Sequence, residues 1–182
     1  GTQAELKAAL ITDDTKVLAT SANVTVEDAA SIAELTAIDA VIATMSYSTV
    51  ADSAANAATN SNSYITGTKT VTLTDDAATA INATTLSTIG GLTSGTVTVT
   101  NAIAISGTES QVTDALVDTD TKVAAATATV TISDDAATAL EVTDLSAIGA
   151  LTSGAVTVSN AVVLTGTQAE LKAALITDDT KV

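Results

Sequence analysis

The sequence predicts an α/β solenoid, in which stacked coils of short parallel β-strands each carry a short helix; a triangular parallel β-helix is the all-β alternative. Three observations predict it. Residues 166–182 repeat residues 1–17 without a change (GTQAELKAALITDDTKV), an offset of 165 residues. A Val-Thr-Val motif recurs between these ends. Finally, 46% of the residues are apolar while only 1% are aromatic. Self-similarity at a fixed period marks tandem arrays, whose units bury their apolar faces against neighbours. Few aromatics argue against one bulky core of the usual kind. The chain therefore reads as one continuous repeat array over residues 1–182, one full period plus the start of the next.

The strands come first in each unit. Val24-Thr25-Val26, Val71-Thr72-Leu73, Val97-Thr98-Val99, Val130-Thr131-Ile132 and Val156-Thr157-Val158 alternate apolar and hydroxyl residues, the pattern of a half-buried strand. Their first valines are spaced by 47, 26, 33 and 26 residues. A diverged coil at Met45 divides the long interval, so coils are expected to start near 24, 45, 71, 97, 130 and 156. Six coils at strand spacing would advance roughly 30 Å per period.

Turns follow the strands and carry Asp or Asn: Asp28, Asp75-Asp76, Asn101, Asp134-Asp135 and Asn160. A second apolar segment comes next in most coils, as at 102–106 and 161–164. The helices then announce themselves by capping boxes at Thr2/Glu5, Ser31/Glu34, Thr108/Gln111 and Thr167/Glu170. Their apolar stripes are Ile32/Leu35/Ile38, Leu86/Ile89/Leu92, Val112/Leu116, Leu145/Ile148/Leu151 and Leu171/Leu175. Gly95 and Gly154, each in Thr-Ser-Gly, are read as the turns back into the next strand. Two-turn helices and four-residue strands do not persist alone in water, so neighbouring units must supply their partners.

Composition removes several functions. The net charge is −15, with six Lys and no Arg against 21 acids; such a chain repels nucleic acid and anionic membrane surfaces. No apolar run reaches the ~18 residues of a membrane span. With no Cys and no His there is neither a disulfide framework nor a thiolate or imidazole metal site, and no ordinary activated nucleophile. The six lysines sit in repeated, helix-face or loop positions, Lys7 with Lys172 and Lys16 with Lys122 and Lys181, whereas an active site is a local exception. An enzyme is not expected, and no cofactor is required.

Three candidate surfaces remain. Paired acids Asp13-Asp14, Asp75-Asp76, Asp134-Asp135 and Asp178-Asp179 would be weak calcium ligands if stacking aligned their carboxylates; alternatively they cap turns and helix starts. Outward strand positions (Thr70/Thr72/Thr74, Thr96/Thr98/Thr100, Thr129/Thr131/Ser133 and Ala155/Thr157/Ser159) would make a hydroxyl-rich face suited to ice or to a neighbouring fibre. Tyr47 and Tyr64 are the two aromatics and, with Met45, mark the diverged coil; they either fill space or anchor a lateral contact.

Residues 24–40 (VTVEDAASIAELTAIDA) and 48–56 (STVADSAAN) resemble the Thr/Ala-rich tandem repeats of giant bacterial cell-surface proteins of cyanobacteria and marine bacteria, often described as hemolysin-type calcium-binding. The resemblance extends over essentially the whole chain, most clearly residues 24–74. It implies secretion, an extracellular or cell-surface location, a fibrous role and calcium as a ligand, although the glycine-rich calcium motif is not present. Sequence and resemblance together lead to the expectation of a structural segment of an extracellular filament, surface layer or fibrous adhesin. Its partner would be itself, through end-to-end continuation and lateral contacts. A ligand-binding surface for calcium, ice or glycan is the alternative.

Overall fold

A computed structural model describes residues 1–12, 17–121 and 123–176. Among them are seven helices: α1 (Gln3–Leu10), α2 (Ile32–Asp39), α3 (Ala54–Thr59), α4 (Ala83–Gly91), α5 (Glu109–Leu116), α6 (Val142–Gly149) and α7 (Gln168–Ile176). Twelve strands accompany them: β1 (Ala19–Thr25), β2 (Ile42–Ser46), β3 (Thr49–Asp52), β4 (Thr70–Leu73), β5 (Ala80–Asn82), β6 (Val97–Val99), β7 (Ala104–Gly107), β8 (Val123–Ala124), β9 (Thr129–Ile132), β10 (Ala139–Glu141), β11 (Val156–Val158) and β12 (Val163–Thr165). All pairing between these strands is parallel. They form four sheets, in the orders β1-β2, β3-β4-β6-β8, β5-β7-β9-β11 and β10-β12.

The single solenoid of repeating coils is therefore not what forms, nor is the triangular β-helix. The fold is mixed α/β, with small parallel sheets of two to four strands distributed among seven helices. The cause is a change of pairing partner between motifs that look equivalent in sequence. Val71 pairs with Val97 as expected, but Val97 pairs with Val123, and Val130 pairs with Ile105. The 33-residue interval from Val97 to Val130 is thus not one longer coil. The short strand β8 takes the expected place, and the Val130 motif joins a different sheet. Val71 likewise rests on Val50, not on Met45. One sheet stops at β8 while the next continues through β9 and β11, so no ladder runs the length of the described residues.

What each strand buries follows its alternation. Val71, Leu73, Val97, Val130 and Ile132 are at most 1% exposed while the intervening threonines face outward or sit half-buried. The helices contribute Leu35, Ile38, Leu86, Ile89, Leu145 and Ile148, all fully buried, and one continuous core joins them to the strands. At about 25 cal/mol per Å², each such side chain contributes on the order of 2 kcal/mol. Gly95 and Gly154 do not supply unusual turn conformations. A Cβ on Gly95 would lie 2.3 Å from the Lys69 carbonyl oxygen, and one on Gly154 2.2 Å from that of Ala128. Both glycines are there because another backbone passes too close for a side chain.

Candidate functional site

The acidic positions are built from the helix starts upward. The first amides of a helix have no intrahelical acceptor. In five helices one of them is met by the hydroxyl just before the helix: Thr2, Ser31, Ser53 and Thr108 each accept from the third helical residue at 3.3 Å, and Thr167 at 3.4 Å. In the first four of these a second is met from elsewhere in the chain. Asp28 Oδ1 accepts from the Gln3 amide at 2.6 Å, Asp52 Oδ2 from Ile32 at 3.0 Å, Asp75 Oδ2 from Ala54 at 2.8 Å and Asp134 Oδ2 from Glu109 at 2.7 Å. Every one of these donors is the first residue of its helix. An aspartate some 20 to 25 residues downstream thus caps the helix of the unit before it, where the helix dipole also favours a negative charge.

Of the candidate calcium ligands, Asp75 and Asp134 consequently point at helix starts. Asp76 and Asp135 are exposed, and their carbonyls accept the amides of Thr79 and Thr138 in matching turns. Asp13, Asp14, Asp178 and Asp179 lie outside the described residues, as do Lys16, Lys122 and Lys181. No group of three acidic side chains converges at ligating distance among the described residues. Asn101 and Asn160 occupy the turns of the following unit and donate from Nδ2 to the Asp75 and Asp134 carbonyls, each at 2.7 Å.

Asp52 is the member of this set that the sequence did not single out. It is 8% exposed, and besides Ile32 it accepts from the Ser53 amide at 2.8 Å and from Asn56 Nδ2 at 2.7 Å. The available signal was spacing, since Asp28, Asp52 and Asp75 recur at intervals of 24 and 23 residues. Beside Asp52 a groove of 430 Å³ opens between α2 and α3, lined by Ile32, Thr36, Asn56, Thr59 and Asn62. Its polar atoms serve the fold: Asn62 Nδ2 donates to Thr36 Oγ1 at 3.1 Å, and Asn56 is held by Asp52.

The threonine face is divided. Thr72 registers with Thr98 in one sheet and Thr131 with Thr157 in another, the latter in a column with Asn82 and Ser106. The hydroxyls also bond the chain itself; Thr49 and Thr70 meet at 2.8 Å across neighbouring strands, and Thr100 donates to the Leu73 carbonyl at 2.8 Å.

The diverged segment brings its aromatics together. Tyr47 and Tyr64 meet edge to face with centroids 6.0 Å apart, and Lys69 Nζ lies 4.3 Å over the Tyr47 ring while donating to the Tyr47 carbonyl. Burial raises the pKa of both phenols, so each hydroxyl keeps its proton and donates. Tyr47 donates to the Tyr64 carbonyl at 2.7 Å. The pair fills the interior of this segment, and Tyr64 is 6% exposed.

Last is a face that the described elements leave uncovered. Helix α7 buries Ala174 completely but leaves Leu175 44% and Ile176 71% exposed. Along it runs an apolar groove of 580 Å³ bordered by Leu171, Leu175 and Ile176. No described helix is long and apolar enough to cross a membrane. Compared with protein-family models, curated proteins and solved structures, the chain matches none.

Proposed function

We propose that this chain is a structural repeat segment of an extracellular filament, surface layer or fibrous adhesin, without catalytic activity, whose principal partner is more of the same sequence. One observation carries this reading: the same residues occupy complementary surroundings at two places. In α1 Leu6, and just past its end Ile11, lie against the core while Ala9 is exposed. In α7 the equivalent of Ala9, Ala174, is fully buried toward α6, and the equivalent of Ile11, Ile176, is bare. Superposed, the two halves describe a helix covered on both sides, as an interior element of a longer array would be. Helices that contact one another in chain order, α3 with α4, α4 with α5, α5 with α6 and α6 with α7, suit growth at the ends.

The acidic, hydroxyl-rich exterior suits contact with water and ions, and the chain has no His or Cys with which to build an ordinary nucleophile. A chain in which residues 18–182 follow residue 182 tests the reading. Small-angle scattering should show a particle about twice as long with an unchanged cross-section. A rounder particle of doubled mass would refute an end-on array. Labelling of intact, unpermeabilised cells with an antibody to the repeat tests the location.

A further inference from the structure

Resting on that reading, we infer that the occupant of the bare α7 face is a second copy of this chain, and that the joint is an exchange in which α7 of one copy takes the place α1 holds in the next. The place is well defined. Gly1 donates its amine to the Thr25 carbonyl at 3.2 Å and accepts the Glu27 amide at 3.0 Å. The Gln3 amide reaches Asp28, and Leu6 and Ile11 close over the core. Residues 166–176 are identical to 1–11, so the surface of α2 and Asp28 offer them the same contacts.

Two differences separate the competitors. The resident α1 is tethered to its site, which gives it an effective concentration on the order of millimolar. The incoming α7 arrives already supported by α6, and it carries strand β12, whose edge away from β10 pairs with no described strand. In the exchange that edge would lie beside β1 of the next copy, which pairs with no described strand on the side away from β2 and is met there by Gly1 at Thr25. Open strand edges are templates for one another. Exchange therefore offers α7 the helix-start and apolar contacts that α1 made and covers α7 on both sides, while the displaced α1 gives up its own packing and the Gly1–Glu27 ion pair. Simple abutment would instead lay α7 on the Ala9 side of an undisturbed α1.

The identical sequences allow a test in which the same substitutions act in opposite directions. Leu6→Asp with Ile11→Asp weakens the resident helix and should lower the concentration for half-association in sedimentation velocity by at least about tenfold. Leu171→Asp with Ile176→Asp should abolish association. If the first pair leaves association unchanged while the second abolishes it, the ends abut and exchange is wrong. Association that neither pair alters, or that is absent throughout, removes the second copy as occupant.

A second measurement guards against misfolding. The chain has no cysteine, so Gln168→Cys with Asp28→Cys should give, on mild oxidation, a ladder of covalent trimers and higher species. Either change alone should stop at dimers. A double variant of native circular dichroism that also stops at dimers overturns the exchange. Elongation of the two-period chain in the same hands would leave the structural role standing and the exchange alone refuted.

Discussion

At the scale of single residues, the aspartates divide into those that hold a helix start and those that do not. Asp52 serves three donors from a nearly buried position, so Asp52→Ala strands two amides and a side-chain donor and should cost about 2–3 kcal/mol in urea unfolding. Asp75 supplies one bond to the Ala54 amide, and its loss should cost about 1 kcal/mol. The neighbouring Asp76 is exposed, and Asp76→Ala should stay within about 0.5 kcal/mol of the parent. Equal costs at 75 and 76 would contradict the capping assignment. The cap glutamates give the pH dependence. Hydrogen bonds, first from the Thr2 amide and then from its hydroxyl, lower the pKa of Glu5, and Thr167 does the same for Glu170. A carboxyl lowered in the folded state stabilises it above the unfolded value, and that contribution is lost as pH falls through the folded one. Protection of the Thr2 and Thr167 amides, taken as exchange relative to the intrinsic rate at each pH, should therefore hold at neutral pH and fall only below the ordinary glutamate value of 4.5.

At the scale of elements, two adjacent glycines near the end of α4 make opposite demands. A Cβ on Gly90 would sit 2.0 Å from the Thr121 carbonyl oxygen, whereas one on Gly91 meets nothing within 4 Å. Gly90→Ala must push α4 away from the backbone that crosses it and should cost about 3 kcal/mol or more. Gly91→Ala removes backbone freedom at an open helical site and should stabilise by about 0.5–1 kcal/mol. Thermal unfolding of the two variants checks both signs. Neither glycine was separable by sequence, because the crossing chain lies 31 residues away. The caps were legible: Thr2, Ser31 and Thr108 form capping boxes as their spacing requires. So were the stripes through Leu35, Leu86 and Leu145. Helix α3 was missed because AANAAT offers no Leu or Ile stripe, only Ala54 and Ala57 turned inward. The partner change at Val130 was equally hidden. Val-Thr-Ile reads the same whether it pairs with Val97 or Ile105, and the short strand β8 that decides the matter spans just Val123–Ala124. Of the candidate site, the acids at 75 and 134 were visible but their partners were not, since an amide 21 or 25 residues upstream leaves no mark on the local pattern.

At the scale of the whole molecule, a net charge of −15 without arginine or histidine opposes compaction, because like charges repel across the surface. Salt should relieve this in a way that separates screening from binding. Screening depends on ionic strength alone, and the Debye length contracts from about 10 Å at 0.1 M to about 3 Å at 1 M. If the paired acids are caps and turn residues, sodium chloride and calcium chloride at matched ionic strength should raise the unfolding temperature equally, by a few degrees, with magnesium indistinguishable from calcium. Asp76→Asn combined with Asp135→Asn, which removes the exposed member of each described pair, should then shift the three salt curves together. A calcium site would behave otherwise. A ligand that binds only the folded chain stabilises it by RT ln(1 + [L]/Kd), so stabilisation would begin near its dissociation constant, far below the concentrations at which screening acts. Magnesium would not reproduce it, a chelator would reverse it, and the double substitution would erase it. Equal curves fit the geometry, in which Asp75 and Asp134 already spend an oxygen each on a helix start. A calcium-specific rise at low concentration would show that their exposed neighbours bind metal after all.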